Sequence, residues 1–324
     1  MKTDLRAWLR CLSSDAEEGG IREFVGGAYN GVFFSLTSRY PFGTNVYDLD
    51  WDLLIVLDAC RVDALREVAP EFDFIEDVGS VWSVGSSSHE WLCKTFNREY
   101  ADEISETVYV STNPNTPRAF SEEERPPTGY RIPVQWTDWD VVDEEDFKLL
   151  RQLHRHDYDE FADTFPPDLV TDHTIHAART TDFERMIVHY FQPHRPHIGT
   201  AYPSKRPVTA AEDRPWDAIR NGDATEEDVW ELYLDNLRLA LDSVGRLLEN
   251  VDAETVAITA DHGELFGEWG LYGHPEGVVN PNLKKVPWAL TTASDERTSD
   301  PTVDVDRQKG DVDVQERLEN LGYV

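Results

Sequence analysis

The chain has 324 residues and sets 63 acidic side chains against 30 basic ones, a formal charge of −33. At 40 % hydrophobic and 11 % aromatic it carries enough apolar material for a packed core, which excludes low-hydrophobicity disorder. Only seven of the bases are lysine. So acidic and lysine-poor a balance argues against nucleic-acid binding through phosphates, and equally against docking on anionic lipid.

In chain order, Leu5, Trp8, Leu9 and Leu12 fall on one helical face, so residues 1–50 are expected to form a helical segment packed on the main domain. LLIVLDA (53–59) is a continuous apolar run ending in an acid, as expected for a buried parallel strand, and RVDALREVA follows as a helix. SVWSVGS (80–86) predicts a second strand, SHEWLCKTF a helix and TVYVST (107–112) a third strand. The Pro- and acid-rich stretch 113–169 reads as loop and irregular structure over the sheet. RMIVHYF (185–191) predicts a fourth strand, TVAITA (255–260) a fifth and VPWALTT (286–292) a sixth.

The clearest helix follows Thr225, where Thr225 and Asp228 fit a capping box and Val229, Leu232, Tyr233, Leu237, Leu241, Val244 and Leu248 recur at spacings of three and four. Strands alternating with helices predict an α/β fold, a mostly parallel central sheet sandwiched by helices, with residues 51–324 as one domain.

The acids are spread along the whole chain, which favours adaptation to high salt over a dedicated acidic interaction surface; such a composition resembles that of haloarchaeal cytoplasmic proteins. Cys11, Cys60 and Cys93 show no CxxC pairing, so no disulfide framework is implied. There is no signal-peptide h-region, and no stretch approaches the ~18 apolar residues of an integral membrane segment. A cytoplasmic protein is the expectation, with peripheral attachment to a membrane as the alternative. Nothing in the sequence speaks to oligomeric state.

In parallel sheets, function gathers at the carboxyl ends of the strands. Here those ends carry Asp58, the Ser86-Ser87-Ser88 cluster, the QPHRPH segment with His194 and His197, and Asp261-His262. Hard oxygens, imidazoles and a hydroxyl on one rim suit a divalent cation that activates a nucleophile and neutralises an oxyanion. Asp58 reads as a metal ligand or as a cap for the next helix; Arg61 as a grip on an anionic oxygen or as the partner of a neighbouring acid. His189 lies within a strand, as core or a supporting residue. Asp172 and His176, one helical turn apart, read as an exposed helix face.

These same residues carry a family resemblance. ITADHGELFGEWGLYGHP (258–275) resembles the C-terminal metal motif of the sulfatase-like hydrolase and transferase branch of the alkaline phosphatase superfamily. IVLDACRVDAL resembles its N-terminal metal-binding strand, HYFQPHRPH its central His-Pro segment, and the closing ERLENLGYV a frequent C-terminus. The resemblance implies Asp58, Ser88, Asp261 and His262 as metal ligands and Ser88 as nucleophile at a helix start, with Ser87 the alternative. It further implies His194 as the group assisting the leaving oxygen, and Arg61, His197 and His274 as substrate contacts, His274 alternatively serving a second metal. Glu264 is expected to orient His262.

The formylglycine motif of true sulfatases, Cys-x-Pro-x-Arg, is absent at Cys60 and Cys93, and Ala59 stands where many sulfatases carry a second aspartate. The expected activity is therefore metal-dependent hydrolysis of a phosphate or sulfate ester, on a small anionic molecule or glycan, through a serine. Cofactors would be one or two ions of Zn, Mn, Mg or Ca. The rival expectations are phospho-group transfer to a glycan or lipid-linked acceptor, and a non-catalytic ligand-binding member.

Overall fold

The computed structural model describes residues 5–128, 136–153 and 164–304. The C-terminal ERLENLGYV segment lies outside them. Helix α1 (Leu5–Thr37) precedes strand β1 (Leu53–Leu57), helix α2 (Val62–Val68), strand β2 (Gly79–Trp82) and helix α3 (Ser88–Thr95). Strands β3 (Thr107–Ser111), β4 (Leu149–Gln152), β5 (Arg185–Tyr190) and β6 (Ala253–Thr259) follow. A small ribbon of β7 (Leu265–Phe266) and β8 (Tyr272–Gly273) then leads to β9 (Lys285–Ala293).

Among the described residues, seven strands make the central sheet in the order β2-β9-β6-β1-β5-β3-β4, parallel except where β9 runs against β6 and β2. The mostly parallel, helix-covered sheet expected from the sequence is the observed one. β1 sits at its centre, hydrogen-bonded to β5 and β6, and all five of its residues are buried. Its side chains alternate between the faces: Leu53, Ile55 and Leu57 pack under the Pro167–Thr180 and Glu226–Leu248 helices, while Leu54 and Val56 meet Trp51, Trp91 and Phe96 opposite. A continuous apolar run is what a strand covered on both faces requires.

The Glu226–Leu248 helix opens on the expected capping box, Thr225 accepting from Asp228 N and the Asp228 carboxylate from Thr225 N. Its buried stripe includes Val229, Tyr233, Leu237, Leu241 and Val244.

Three expectations are corrected. The 113–169 stretch is not all loop: β4 extends the sheet as an edge strand parallel to β3. At four half-buried residues, LLRQ is too short and too polar at one end to stand out in sequence. Leu5 and Leu9 do not pack inward; both are exposed, and α1 is held instead by buried Leu12, by Trp8 against Trp136 and by Phe34 near Trp139. Asp172 pairs with Arg246 at 2.7 Å on a partly buried surface of the Pro167–Thr180 helix.

Two contacts give direct tests. A Cβ on Gly85, in the turn into α3, would lie 2.6 Å from the backbone of Trp91. Gly85→Ala should lower the stability read from a denaturant midpoint by about 2 kcal/mol.

Glu212 anchors the 197–212 segment: its carbonyl takes His197 N, and its carboxylate takes Arg206 and Thr209 N. Burial pushes this carboxyl up, but the bonds from Arg206 and Thr209 outweigh it and hold it at about 2. Its stabilising contribution is thus complete above the unfolded value of about 4.3 and is lost as pH falls through the folded one. Glu212→Gln should be less stable than wild type at neutral pH, and the gap should shrink in melts recorded at progressively more acid pH.

Candidate active site and metal centre

The pairing of β1 with β6 brings two carboxylates together. Asp58 follows β1 directly and Asp261 stands two residues past the end of β6, and both side chains are fully buried. Asp261 Oδ1 accepts from Ala59 N at 3.1 Å and His262 N at 2.9 Å. Ala59 takes a φ of 63°, a left-handed conformation that costs an alanine about 1 kcal/mol and is held here by its contacts. Besides the bond to Asp261, its carbonyl accepts from Tyr233 Oη at 2.7 Å. Burial disfavours the Asp261 carboxylate, but His262, His189 and hydrogen bonds from Ser88 and Ala59 outweigh it and leave the acid below its usual range.

Asp58 Oδ2 accepts from Asn113 Nδ2 at 2.9 Å and faces Ser88 Oγ at 3.3 Å. His262 Nδ1 lies 2.7 Å from the carbonyl of Gly263. A carbonyl only accepts, so Nδ1 carries the proton and the Nε2 lone pair faces inward. Nε2 stands 3.2 Å from Ser88 Oγ, 3.6 Å from Asp58 Oδ1 and 3.5 Å from Asp261 Oδ2. Burial lowers the pKa of His262 and keeps this lone pair available. Glu264 does not orient His262 as expected; the Gly263 carbonyl does.

The two serines divide their work. Ser87 is the cap of α3, its hydroxyl accepting from Glu90 N at 3.3 Å. Ser88, the first helical residue, is thereby left to turn its hydroxyl toward Asp58 and His262.

A second set of donors adjoins the first. His274 Nδ1 lies 3.2 Å from both oxygens of Glu264, and the ring of His274 is 5.0 Å from His194 and 4.6 Å from His262, centre to centre. His194 Nδ1 donates to the Arg195 carbonyl at 2.6 Å, which leaves Nε2 with its lone pair. Ligand atoms of Asp58, Asp261 and His262 lie within 4.8 Å of one another, and so do those of His194, Glu264 and His274. Each set combines carboxylate oxygen with imidazole nitrogen, a donor chemistry that fits a divalent cation. Two fully buried carboxylates with an inward lone pair are the better fit of the two.

Other expected residues lie elsewhere. Of the two roles open to Arg61, the structure displays the acid pairing: its guanidinium bonds Asp63 at 2.6 Å and Glu268 at 2.7 Å and stacks on Trp230. His197 is buried against Tyr233 and is not among the residues brought together.

The sequence reading missed Asn113, although it stands just past the end of β3, where the strand-end rule points. It also missed the support given by Glu90. That fully buried carboxylate accepts from Ser86 N at 2.8 Å, Ser86 Oγ at 2.5 Å and Lys94 Nζ at 2.5 Å, and Ser86 Oγ in turn accepts from Gly277 N at 2.8 Å. The turn that presents Ser88 is thereby tied to the loop that presents His274. Burial would push Glu90 up, but Lys94 and Lys284 hold it at about 2. His189 supports both carboxylates from β5: Nδ1 meets Tyr109 Oη at 2.8 Å, and Nε2 lies 3.8 Å from Asp58 and 3.7 Å from Asp261.

No protein-family model matches the sequence, and no curated protein matches it. Among solved structures it is similar to the soluble domain of lipooligosaccharide phosphoethanolamine transferase A from Neisseria meningitidis: 17 % identity, 76 % of this chain against 77 % of that one, TM-score 0.47. It is also similar to the C-terminal periplasmic domain of EcEptC from Escherichia coli, in complex with Zn, at 13 % identity, 76 % against 73 % and TM-score 0.43. A third is the phosphonate monoester hydrolase SpPMH from Silicibacter pomeroyi, at 14 % identity, 83 % against 72 % and TM-score 0.37.

Calorimetric titration with Mn²⁺ or Zn²⁺ tests the geometry. Asp261→Asn should abolish tight binding, whereas Asn113→Ala, which removes only a support of Asp58, should weaken it roughly 10- to 100-fold.

Proposed function

We propose that the protein cleaves a phosphate or sulfate ester through Ser88, assisted by a divalent cation. The observation that carries this reading is the position of Ser88 Oγ, at the start of a helix and 3.3 and 3.2 Å from Asp58 and His262. Asp58, Asp261 and His262 would hold the cation. When bound, it supplies Lewis acidity that lowers the pKa of a neighbouring hydroxyl and offsets charge on the transferred group.

The chain's own residues supply the rest. Asp58 and His262 fix the direction of the Ser88 hydroxyl. The first turn of α3 points backbone N–H groups toward the approaching anion. Ser88 Oγ forms the new bond to phosphorus or sulfur as the bond to the leaving oxygen breaks; water hydrolyses the resulting seryl ester, and an alcohol accepting it instead would make the reaction a transfer.

His194 enters differently from the sequence expectation. Burial, with His274 and Arg195 beside it, pushes its pKa well below the usual histidine value. It is therefore neutral, bonded to Arg195 through Nδ1, and suited to offer a lone pair rather than a proton. With Glu264 and His274 it forms the second donor set, so the reading extends to two cations.

Purified protein loaded in turn with Zn, Mn, Mg and Ca should turn over an aryl phosphate or an aryl sulfate. Ser88→Ala should reduce kcat by roughly three orders of magnitude or more while metal content and melting stay close to wild type. Turnover of the variant at the wild-type rate would sink the assignment.

A further inference from the structure

Ser86 belongs to neither donor set, yet its hydroxyl stands between the segments that carry the chemistry. It is fully buried, two residues before Ser88, and it is bonded across 191 positions of sequence to Gly277, three residues past His274. His274 itself directly follows a ribbon of only two residues per strand, β7 and β8, which is separate from the central sheet. Its place relative to Ser88 therefore depends on contacts outside the sheet.

Those contacts have a fixed direction. Glu90 is a buried carboxylate kept ionised by Lys94 and Lys284, and a carboxylate only accepts. The single proton of Ser86 Oγ goes to Glu90 Oε2 at 2.5 Å, which leaves its lone pairs for the N–H of Gly277 at 2.8 Å. The carbonyl of Gly277 is taken from the other side by Tyr29 Oη of α1 at 2.7 Å. The same helix covers the far end of the chain of bonds, where Lys94 Nζ lies 5.3 and 5.6 Å from the ring centres of Phe33 and Phe34. Gly277 suits this junction: its φ is 77°, and a Cβ there would stand 2.9 Å from Asn30 Oδ1. In a buried setting, a chain of bonds with one polarity specifies one arrangement of the segments it joins.

We propose that Ser86, oriented by Glu90, is a positioning residue that holds the His194, Glu264 and His274 set in register with Asp58, Asp261 and His262. The proposal rests on the reading that each set takes a cation, and is indifferent to which ester is cleaved. Calorimetric titration of the whole chain with Mn²⁺ tests it. Wild type should bind two equivalents, and His274→Ala should remove one binding event and so identify it. Ser86→Ala deletes the link but no donor. It should weaken that same event roughly 10- to 100-fold, as expected for a group one bond removed from a ligand, and leave the other event within about twofold. Tyr29→Phe, at a half-exposed side chain, should weaken the same event by a smaller factor, and it carries the test if Ser86→Ala does not fold. In turnover of an aryl phosphate or sulfate, Ser86→Ala should lower kcat about tenfold with KM little changed.

Equal weakening of both binding events overturns the proposal, because general loosening would then account for it. So do wild-type affinities for both events in Ser86→Ala, and wild-type protein that binds a single equivalent. Failure of the wild type to turn over any ester counts against the reaction alone, since the titrations are read without substrate.

Discussion

Two acids with no access to solvent, side by side, set the terms for the rest of this molecule. Asp58 and Asp261 meet because β1 and β6 are parallel neighbours in the sheet and each acid stands just past the end of its strand. Holding both in a buried cleft requires compensation, and much of the surrounding chemistry supplies it: the N–H groups of Ala59 and His262, the amide of Asn113 and the hydroxyl of Ser88. The left-handed turn at Ala59, which aims its N–H at Asp261, follows from the same requirement. A cation bound there would complete it.

What sequence made legible, and what it concealed, follow from this arrangement. β1 stood out because burial on both faces demands an unbroken apolar run. Asp58, Ser88, Asp261 and His262 stood out because strand ends are where side chains of distant segments converge. Asn113 and Glu90 stayed hidden for a physical reason: an amide after a strand and an acid in a first helical turn have ordinary local roles, and only tertiary contact shows Asn113 on Asp58 and Glu90 folded back on Ser86. Backbone geometry likewise gives Ser87 the cap and turns the Ser88 hydroxyl toward Asp58 and His262, which local sequence does not reveal. The inward packing foreseen for Leu5 and Leu9 failed because one helical face in sequence does not reveal which face the domain covers.

Charge behaves as a local quantity here. Of the many acids that define the composition, Asp58, Asp261, Glu90 and Glu264 are buried at the candidate site, and the 1–40 segment has no net charge at all. Near the site the balance is struck by neighbours: Glu90 stays ionised beside Lys94 and Lys284, while burial leaves His194 and His262 neutral. A whole-molecule charge is a poor guide to what any one face of this protein meets.

The central position of β1 has a consequence for how the protein is made. β1 is translated early, yet its hydrogen-bonding partners begin only at Arg185 and Ala253. Until those segments leave the ribosome, five consecutive apolar residues with two unpaired strand edges wait without a sheet to join. Truncated chains that stop before residue 253 would expose such an edge permanently, and that makes aggregation of incomplete product the characteristic failure of this topology.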